Sequence, residues 1–554
     1  MPIRRRIPER ALRPIVAVLR TKPGKQLVSQ LLRSELGVTA LRSLGDESRS
    51  PLPFAALPIA ARRERSRASS HLGPPVPPAW PPTSRTIQHA VRTGKLTAEQ
   101  VAERALDAAR NLAAHRLSLG PLVDTDPVRA LSAARLSTAR LRSGSQLGPF
   151  DGVPTAIKEE VNVLGMATRM GTGWLPQRPA HADAAAVDRL RAQGAVVLGQ
   201  TSMTEYGLSP LGANAHREMP RNPHNISHLA GGSSTGSAVG VSTGVFCVAL
   251  GVDGGGSIRV PASHCGVFGL KPTFGRIPLS GHGTGGGGSM LHIGPIAASC
   301  YDIAAFVEIA AGPDGVDAAC EAAPKLETGE LVQALGRGVR GLSIGVVESQ
   351  WSAASKEVTD PGRESLKALE QAGARLVPVE IPGVAHAPAL GYLTLGLEFF
   401  SGFSTGARQH LSELGPDVQL VILALGACEP DDYLDAQCIR EKLRRDTAAV
   451  LRSVDVLALP TTADIAPEAS DSGTFFDPQA LDAACRFAFL ANLTGLPAGT
   501  APVGRAQNGL PLGLQIVGDA WDEATVLQVL AELERCGAAR VVRPPSGVDV
   551  LADT

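Results

Sequence analysis

The residues best suited to chemistry lie between positions 148 and 273, where lysine, serine and glycine occur in three short segments. The first segment, GPFDGVPTAIK (148–158), places Lys158 at the end of an apolar run, in a chain with 9 lysines against 44 arginines. A lysine kept neutral by burial can accept a proton in catalysis. The plainer alternative is a residue at a strand end whose stem packs while its ammonium group reaches water.

The second segment is rich in small residues and hydroxyls and reads AGGSSTGS over 230–237. A loop of this composition could cradle a phosphate group. However, no lysine follows it at the position that a Walker loop needs, and the chain shows no G-x-G-x-x-G unit with an acid for the ribose. The pattern therefore argues against nucleotide binding.

The third segment, GVDGGGSIR (251–259), places Ser257 directly after three glycines. Glycine permits backbone conformations that other residues avoid, so the N–H groups of such a loop can converge on one point. That convergence is the geometry of an oxyanion hole. Taken alone, the segment is also compatible with an ordinary tight turn.

Together, the order and spacing of these segments resemble the amidase signature family of Ser-Ser-Lys hydrolases. The strongest stretch is GGSSTGSAVGVSTGVFCVALGVDGGGSIRVPASHCGVFGLKPT over 231–273, and the resemblance covers roughly residues 85–535. Further segments that fit are GPFDGVPTAIKEEVN, RNPHN, HIGPIA, NLTGLPAGTAPVG and GLPLGLQIVG. The resemblance implies an α/β fold, with one large body whose mixed, twisted central β-sheet is surrounded by helices, and an N-terminal extension before it.

The resemblance also implies a triad. Lys158 matches the family's catalytic lysine, Ser233 matches the serine that follows a cis peptide bond, and Ser257 matches the nucleophile. Ser263 is the neighbouring serine that could compete with Ser257 for the last role. The implied activity is hydrolysis of a carboxylic amide through an acyl-serine intermediate, with no metal and no organic cofactor.

The residues around the nucleophile are expected to support this reaction. The resemblance implies an oxyanion hole built from backbone N–H groups, those of Gly254, Gly255, Gly256 and Ser257. It also implies three supporting side chains, those of Ser234, Asp253 and Arg259. The last two could brace the loop or could form an ordinary buried ion pair.

Two departures from the family pattern lie beside the site. Glu159 and Glu160 follow Lys158, where an aspartate in the first position is commoner, and Val252 and Gly254 stand where threonine is frequent. A carboxylate close to Lys158 would raise the pKa of its amine, which must lie well below the usual value of about 10.4 for a base at neutral pH. We therefore expect Lys158 in an apolar, carboxylate-free pocket, with both glutamates pointing elsewhere.

Charge and proline content divide the chain. Residues 1–80 contain 15 Lys and Arg against 5 Asp and Glu, and six prolines follow over 71–83 in HLGPPVPPAWPPT. We predict a basic extension over 1–83 that ends in this semi-rigid connector, then an amidase signature domain over 84–545. Within the domain we expect the catalytic core over 148–300 and a substrate pocket or lid over 383–490, where phenylalanines concentrate.

Local patterns predict the elements of the body. Thr97 and Gln100 fit the capping box of a helix. The segments 184–201 and 365–381 each read as a helix, a glycine stop and a buried strand, which is typical of a largely parallel or mixed sheet covered by helices.

Composition excludes several classes of protein. With 44% apolar and 19% charged residues the chain has material for a core, and it lacks an apolar run of membrane-spanning length. It also lacks a secretory signal, so we expect a cytoplasmic protein whose cysteines are reduced and mostly buried. A helix over 25–36 could touch a membrane surface or another subunit, and a homodimer is possible. We expect a small amide as the partner, and no nucleic acid.

The shared core does not separate short-chain, peptide, aryl or fatty amides as substrates. Two further hypotheses stay open. One is the glutaminase subunit of a tRNA-dependent amidotransferase, which the long extension disfavours. The other is a scaffold of the same fold without activity, which the presence of all three triad side chains disfavours.

Overall fold

The computed structural model describes residues 6–552 apart from 22, 24–33, 35–36, 51–59, 61–74, 76–79, 116–117, 176, 285–287, 403–408, 427 and 471–474. Most of the helix predicted over 25–36 and most of the proline-rich connector lie outside the described residues. The division of the chain into an extension and a domain stays a prediction.

The described residues contain fifteen strands. They are β1 (Ile7–Pro8), β2 (Leu122–Thr125), β3 (Pro154–Lys158), β4 (Val196–Thr201), β5 (Arg221–Asn222), β6 (Asn225–Leu229), β7 (Val248–Asp253), β8 (Phe268–Lys271), β9 (His292–Ala297), β10 (Ser343–Val347), β11 (Arg375–Val379), β12 (Val456–Pro460), β13 (Phe475–Phe476), β14 (Ala498–Arg505) and β15 (Pro511–Val517). Eleven of them form one central sheet in the order β11-β10-β12-β15-β14-β8-β9-β7-β3-β4-β2, while β1 pairs with β13 and β5 pairs with β6.

The sheet is mixed, as the resemblance implies. Strands β3, β4 and β7 run parallel to one another, as do β10, β11 and β12, and antiparallel pairs join the two groups. Every residue of β3 (PTAIK) and β7 (VALGVD) is buried. Continuous apolar runs of this kind are expected for parallel strands covered on both faces.

Helices surround the sheet. They are α1 (Glu9–Leu19), α2 (Val38–Arg42), α3 (Ser84–Arg92), α4 (Ala98–Ala113), α5 (Pro127–Ser143), α6 (Ala185–Ala192), α7 (Thr235–Ser242), α8 (Arg259–Cys265), α9 (Cys300–Ala310), α10 (Ala318–Glu321), α11 (Glu330–Ala334), α12 (Glu348–Ser352), α13 (Lys356–Gln371), α14 (Ala387–Gly402), α15 (Pro416–Leu425), α16 (Pro430–Leu451), α17 (Pro478–Cys485), α18 (Phe489–Thr494) and α19 (Glu523–Arg535). Single 3₁₀ turns lie at Asp46–Ser48, Glu205–Gly207, Val384–His386 and Leu411–Glu413.

The local sequence patterns form the predicted elements. Thr97 caps α4, and the reciprocal bond from Gln100 completes the capping box. In both predicted helix-strand units a glycine with positive φ ends the helix, Gly194 at +81° before β4 and Gly373 at +100° before β11. These predictions are confirmed, because the punctuation that they use is local.

No helix in the described part of the chain is long and apolar enough to cross a membrane. All eight cysteines are free thiols, and five of them are buried. The prediction of reduced, mostly buried thiols is therefore consistent with the fold.

Candidate active site

The candidate site lies where the carboxyl ends of two parallel strands meet. Lys158 is the last residue of β3, and Asp253 is the last residue of the neighbouring β7. Because parallel strands end at the same edge of a sheet, the loop after β7 that carries Ser257 begins beside Lys158. Ser233 reaches the same place from the turn that precedes α7.

Lys158 and Ser233 are in direct contact. The Lys158 side chain is buried, and its Nζ donates hydrogen bonds to Ser233 Oγ at 2.7 Å and to the carbonyl oxygen of Val252 at 3.3 Å. The peptide bond between Gly232 and Ser233 is cis, as the resemblance implies. The structure therefore joins two members of the predicted triad that are 75 positions apart in the sequence.

The expectation of a carboxylate-free pocket is wrong. Glu160 Oε1 lies 2.7 Å from Lys158 Nζ, and Glu160 Oε2 lies 3.4 Å from His282 Nε2. A tight turn after β3, closed by the bond from the Val161 N–H to the Lys158 carbonyl, brings Glu160 back beside the lysine. Glu159 does point elsewhere, because it pairs with Arg217 at 2.8 Å.

Burial and the ion pair act in opposite directions on Lys158. Loss of solvent lowers the pKa of the Lys158 amine below its usual value, and the Glu160 carboxylate partly offsets this effect. For Glu160, burial would raise the pKa, but the charges of Lys158 and His282 outweigh it and lower that pKa to about 2. The buried carboxylate thus stays ionised and favours the protonated lysine.

Glu160→Gln is expected to extend activity toward lower pH. Without the carboxylate, the pKa of Lys158 falls further, so its neutral form persists at more acidic pH. We expect the ratio of kcat/KM at pH 6 to that at pH 9 to rise by about tenfold. Glu159→Gln is the matched control, since Glu159 pairs with Arg217 and is the weakest of the charges acting on Lys158. An acidic limb that moves equally in both variants would contradict this reading.

The glycine loop is held from below by Asp253. Its Oδ1 accepts the Gly256 N–H at 2.7 Å, and its Oδ2 accepts the Ile258 N–H at 3.1 Å. Gly256 has a φ of +116°, a conformation that glycine adopts at little cost. Since the Gly256 N–H is directed at this carboxylate, we correct the predicted donors of the oxyanion hole to Gly254, Gly255 and Ser257.

Asp253 and Arg259 form a buried pair that braces the loop. Arg259 donates to both carboxylate oxygens, from Nε at 3.1 Å and from Nη2 at 3.0 Å. Burial would raise the pKa of Asp253, but Arg259 outweighs it and holds that pKa below the ordinary range. Asn492 completes the brace by donating to Asp253 Oδ1 at 2.9 Å and accepting from Arg259.

Three contacts of this site were not predicted from the sequence: that of Glu160 with Lys158, that of His282 with Glu160, and that of Asn492 with the brace. Asn492 had a signal, since it opens NLTGLPAG, a segment that fits the family. His282 lies in a glycine-rich loop without a motif. Ser234, a predicted supporting residue, donates its hydroxyl to the Val252 carbonyl at 3.3 Å, and its N–H donates to the Ser257 carbonyl at 3.2 Å.

A mostly apolar cavity of about 360 Å³ opens at Ser257. Most of its wall comes from residues 385–489, within the predicted pocket region, including Tyr392 and Phe489. The cavity is large enough for a substrate group of many carbon atoms, and its volume is typical of small-molecule sites. Ser257 lies at its wall and is 9% exposed.

The sequence model of the amidase family matches residues 105–527, three quarters of the chain. The chain belongs to the amidase family. This amidase is accordingly a hydrolase that acts on the carbon–nitrogen bonds of amides. The family and the fold that the sequence predicted are both confirmed.

Curated relatives of this amidase differ in activity. A fatty acid amide hydrolase from Medicago truncatula is 33% identical over 482 residues, which cover 84% of this chain and 78% of the relative. A glutamyl-tRNA(Gln) amidotransferase subunit from Synechococcus sp. (strain CC9605) is 33% identical over 488 residues, covering 83% and 97%. The X-ray structure of the peptide amidase from Stenotrophomonas maltophilia is similar at a TM-score of 0.70 with 28% identity, covering 84% of this chain and 99% of that one.

Proposed function

We propose that this amidase cleaves amides through a covalent acyl intermediate on Ser257, with Ser233 relaying a proton between Ser257 and Lys158. The observation that carries the proposal is the 2.7 Å hydrogen bond from the buried Lys158 Nζ to Ser233 Oγ. A buried lysine that contacts a hydroxyl beside a serine-bearing glycine loop is the arrangement that activates a nucleophile by an adjacent base.

The reaction follows from the protonation of Lys158. In its neutral form the amine accepts the Ser233 proton, Ser233 takes the Ser257 proton, and Ser257 Oγ attacks the amide carbonyl carbon. The resulting oxyanion is held by N–H groups of Gly254, Gly255 and Ser257, where loss of one donor in comparable holes costs about 3 to 4 kcal/mol of barrier. The proton then returns through Ser233 to the departing nitrogen. Water hydrolyses the acyl-enzyme by the same route.

The cavity supports amides with a large apolar group as substrates. Its wall is lined mainly by aliphatic and aromatic side chains, and it begins at the proposed nucleophile. Removing apolar surface from water contributes about 25 cal/mol per Å², so a long apolar chain gains more from this wall than a short one does. The fatty acid amide hydrolases among the relatives are consistent with this assignment.

Substrate profiling tests the proposal. We expect the purified protein to hydrolyse acyl p-nitroanilides, with kcat/KM rising from the acetyl to the dodecanoyl compound by about tenfold or more. Free glutamine is the discriminating comparison, because ammonia release from glutamine at a rate above that of every anilide would favour the role of an amidotransferase glutaminase. Absence of turnover together with absence of labelling by a fluorophosphonate would favour the inactive scaffold.

A further inference from the structure

The N-terminal part of the chain contributes to the cavity directly. Gly37 and Ala40, which lie at α2, line it together with residues of α14 and α15. Gly37 has a φ of +78°, and a Cβ added there would lie 2.6 Å from Cβ of Ala389, another lining residue. The backbone of the N-terminal segment therefore packs against the cavity wall too closely for any other side chain at position 37.

Helix α2 is anchored to the body on both sides. Val38 and Leu41 are buried in one apolar cluster with Leu390 and Leu393 of α14. At the end of α2, Arg42 pairs with two acidic residues at the start of α16, with Asp432 at 2.6 Å and Glu429 at 3.1 Å. The apolar contacts and the ion pairs together fix the position of Ala40 at the cavity.

A second contact supports the wall from behind. Leu12, Val16 and Leu19 of α1 form an apolar cluster with Leu420 and Ala424 of α15, and these last two residues line the cavity. Arg20, which follows α1, donates to Gln419 Oε1 at 2.6 Å. Helix α1 therefore covers the outer side of α15.

A third contact holds the strand β13. Ile7 pairs with Phe476 and Pro8 pairs with Phe475 in an antiparallel ladder, and both phenylalanines line the cavity. The guanidinium group of Arg6 lies 4.1 Å from the centre of the Phe475 ring, within the range of a cation–π interaction. The basic residues of this segment thus contact aromatic and acidic groups of the body.

We propose that residues 6–20 and 37–42, here called the N-terminal cover, form part of the substrate cavity and set the size of the apolar group that this amidase accepts. The inference rests on the proposed function, because the apolar group is that of an amide whose carbonyl carbon lies at Ser257. The substrate class is an amide that bears a long alkyl or extended aryl group. Three elements of the wall, α14, α15 and β13, are each held by a different part of the N-terminal cover.

Ala40→Trp tests the inference by filling the cavity from the side of the cover. Ala40 is exposed, so the larger ring enters open space and leaves the packed core intact. Thr39→Trp is the matched control, since Thr39 is an exposed neighbour on the same helix and does not line the cavity. Ala40→Leu is a smaller second variant in case the tryptophan disturbs folding.

The measured quantity is the ratio of kcat/KM for dodecanoyl p-nitroanilide to kcat/KM for acetyl p-nitroanilide. We expect this ratio to fall by at least about tenfold in Ala40→Trp, by less in Ala40→Leu, and by less than about twofold in Thr39→Trp. An equal ratio in all proteins that have native circular dichroism would overturn the inference.

Binding of the fluorescent fatty acid cis-parinaric acid separates this inference from the proposed function. Its affinity is expected to weaken by about tenfold in Ala40→Trp and to be retained in Thr39→Trp, whether or not the protein turns over any anilide. If the unmodified protein binds this probe in that way and hydrolyses nothing, the proposed function fails while the assignment of the wall stands. Equal affinity in all the proteins would count against the wall itself.

Discussion

Ser257→Ala is expected to abolish both amide turnover and covalent labelling by a fluorophosphonate. The acyl intermediate needs the Ser257 oxygen, and removing a serine nucleophile in comparable hydrolases costs about 10⁴ to 10⁶ in kcat. Intact-mass measurement should show one adduct on the unmodified protein and none on the variant. The fold should be retained, because the backbone groups that Asp253 holds are those of Gly256 and Ile258.

Ser263→Ala is the matched control for this experiment. Ser263 lies six positions further along, inside α8, and is buried there. Its replacement should leave the mass of the adduct unchanged. Persistence of the adduct in Ser257→Ala, or its loss in Ser263→Ala alone, would show that the nucleophile has been assigned to the wrong serine.

Lys158→Ala is expected to lower kcat by several orders of magnitude, since it removes the base that accepts the serine proton. Lys158→Arg should be nearly as inactive, because a guanidinium group stays protonated and cannot accept a proton. In the unmodified protein, the neutral lysine becomes more abundant as pH rises through its pKa. Activity should therefore rise from mildly acidic to alkaline pH, and a chelator should leave it unchanged.

The contact between Lys158 and Glu160 shapes the control for this experiment. Removing the lysine alone leaves the buried Glu160 carboxylate without its partner, and breaking a buried pair in this way typically costs about 3 to 5 kcal/mol of stability. The double variant Lys158→Ala with Glu160→Gln should regain much of that loss on thermal unfolding and still lack activity. Turnover within tenfold of the unmodified protein in either folded variant would reduce Lys158 to a strand-end residue.

Much of the fold was predictable because its signals are local. The capping box at Thr97, the glycine stops at Gly194 and Gly373 and the apolar runs of β3 and β7 each depend on residues within a few positions of one another. The mixed sheet and the family followed from a resemblance that spans most of the chain. The candidate residues Lys158, Ser233 and Ser257 stood in the same segments.

The interactions among these residues depend on the tertiary structure. The bond between Lys158 and Ser233 joins positions 75 residues apart, and it exists because the turn before α7 meets the ends of β3 and β7. The side of the chain on which Glu160 lies was set by a single turn, and the sequence-based expectation for it was wrong. The same holds for Gly256, whose N–H group is directed at Asp253.

The sequence by itself determined the family, the class of fold and the identity of the residues available for chemistry. Only the tertiary structure decided the electrostatic surroundings of Lys158, the donors left to the oxyanion hole and the contribution of the N-terminal cover to the cavity. The physical reason is the range of the interactions. Propensities, caps and motifs act between neighbours in the chain, whereas the pKa of a buried amine and the shape of a cavity depend on groups that only folding brings together.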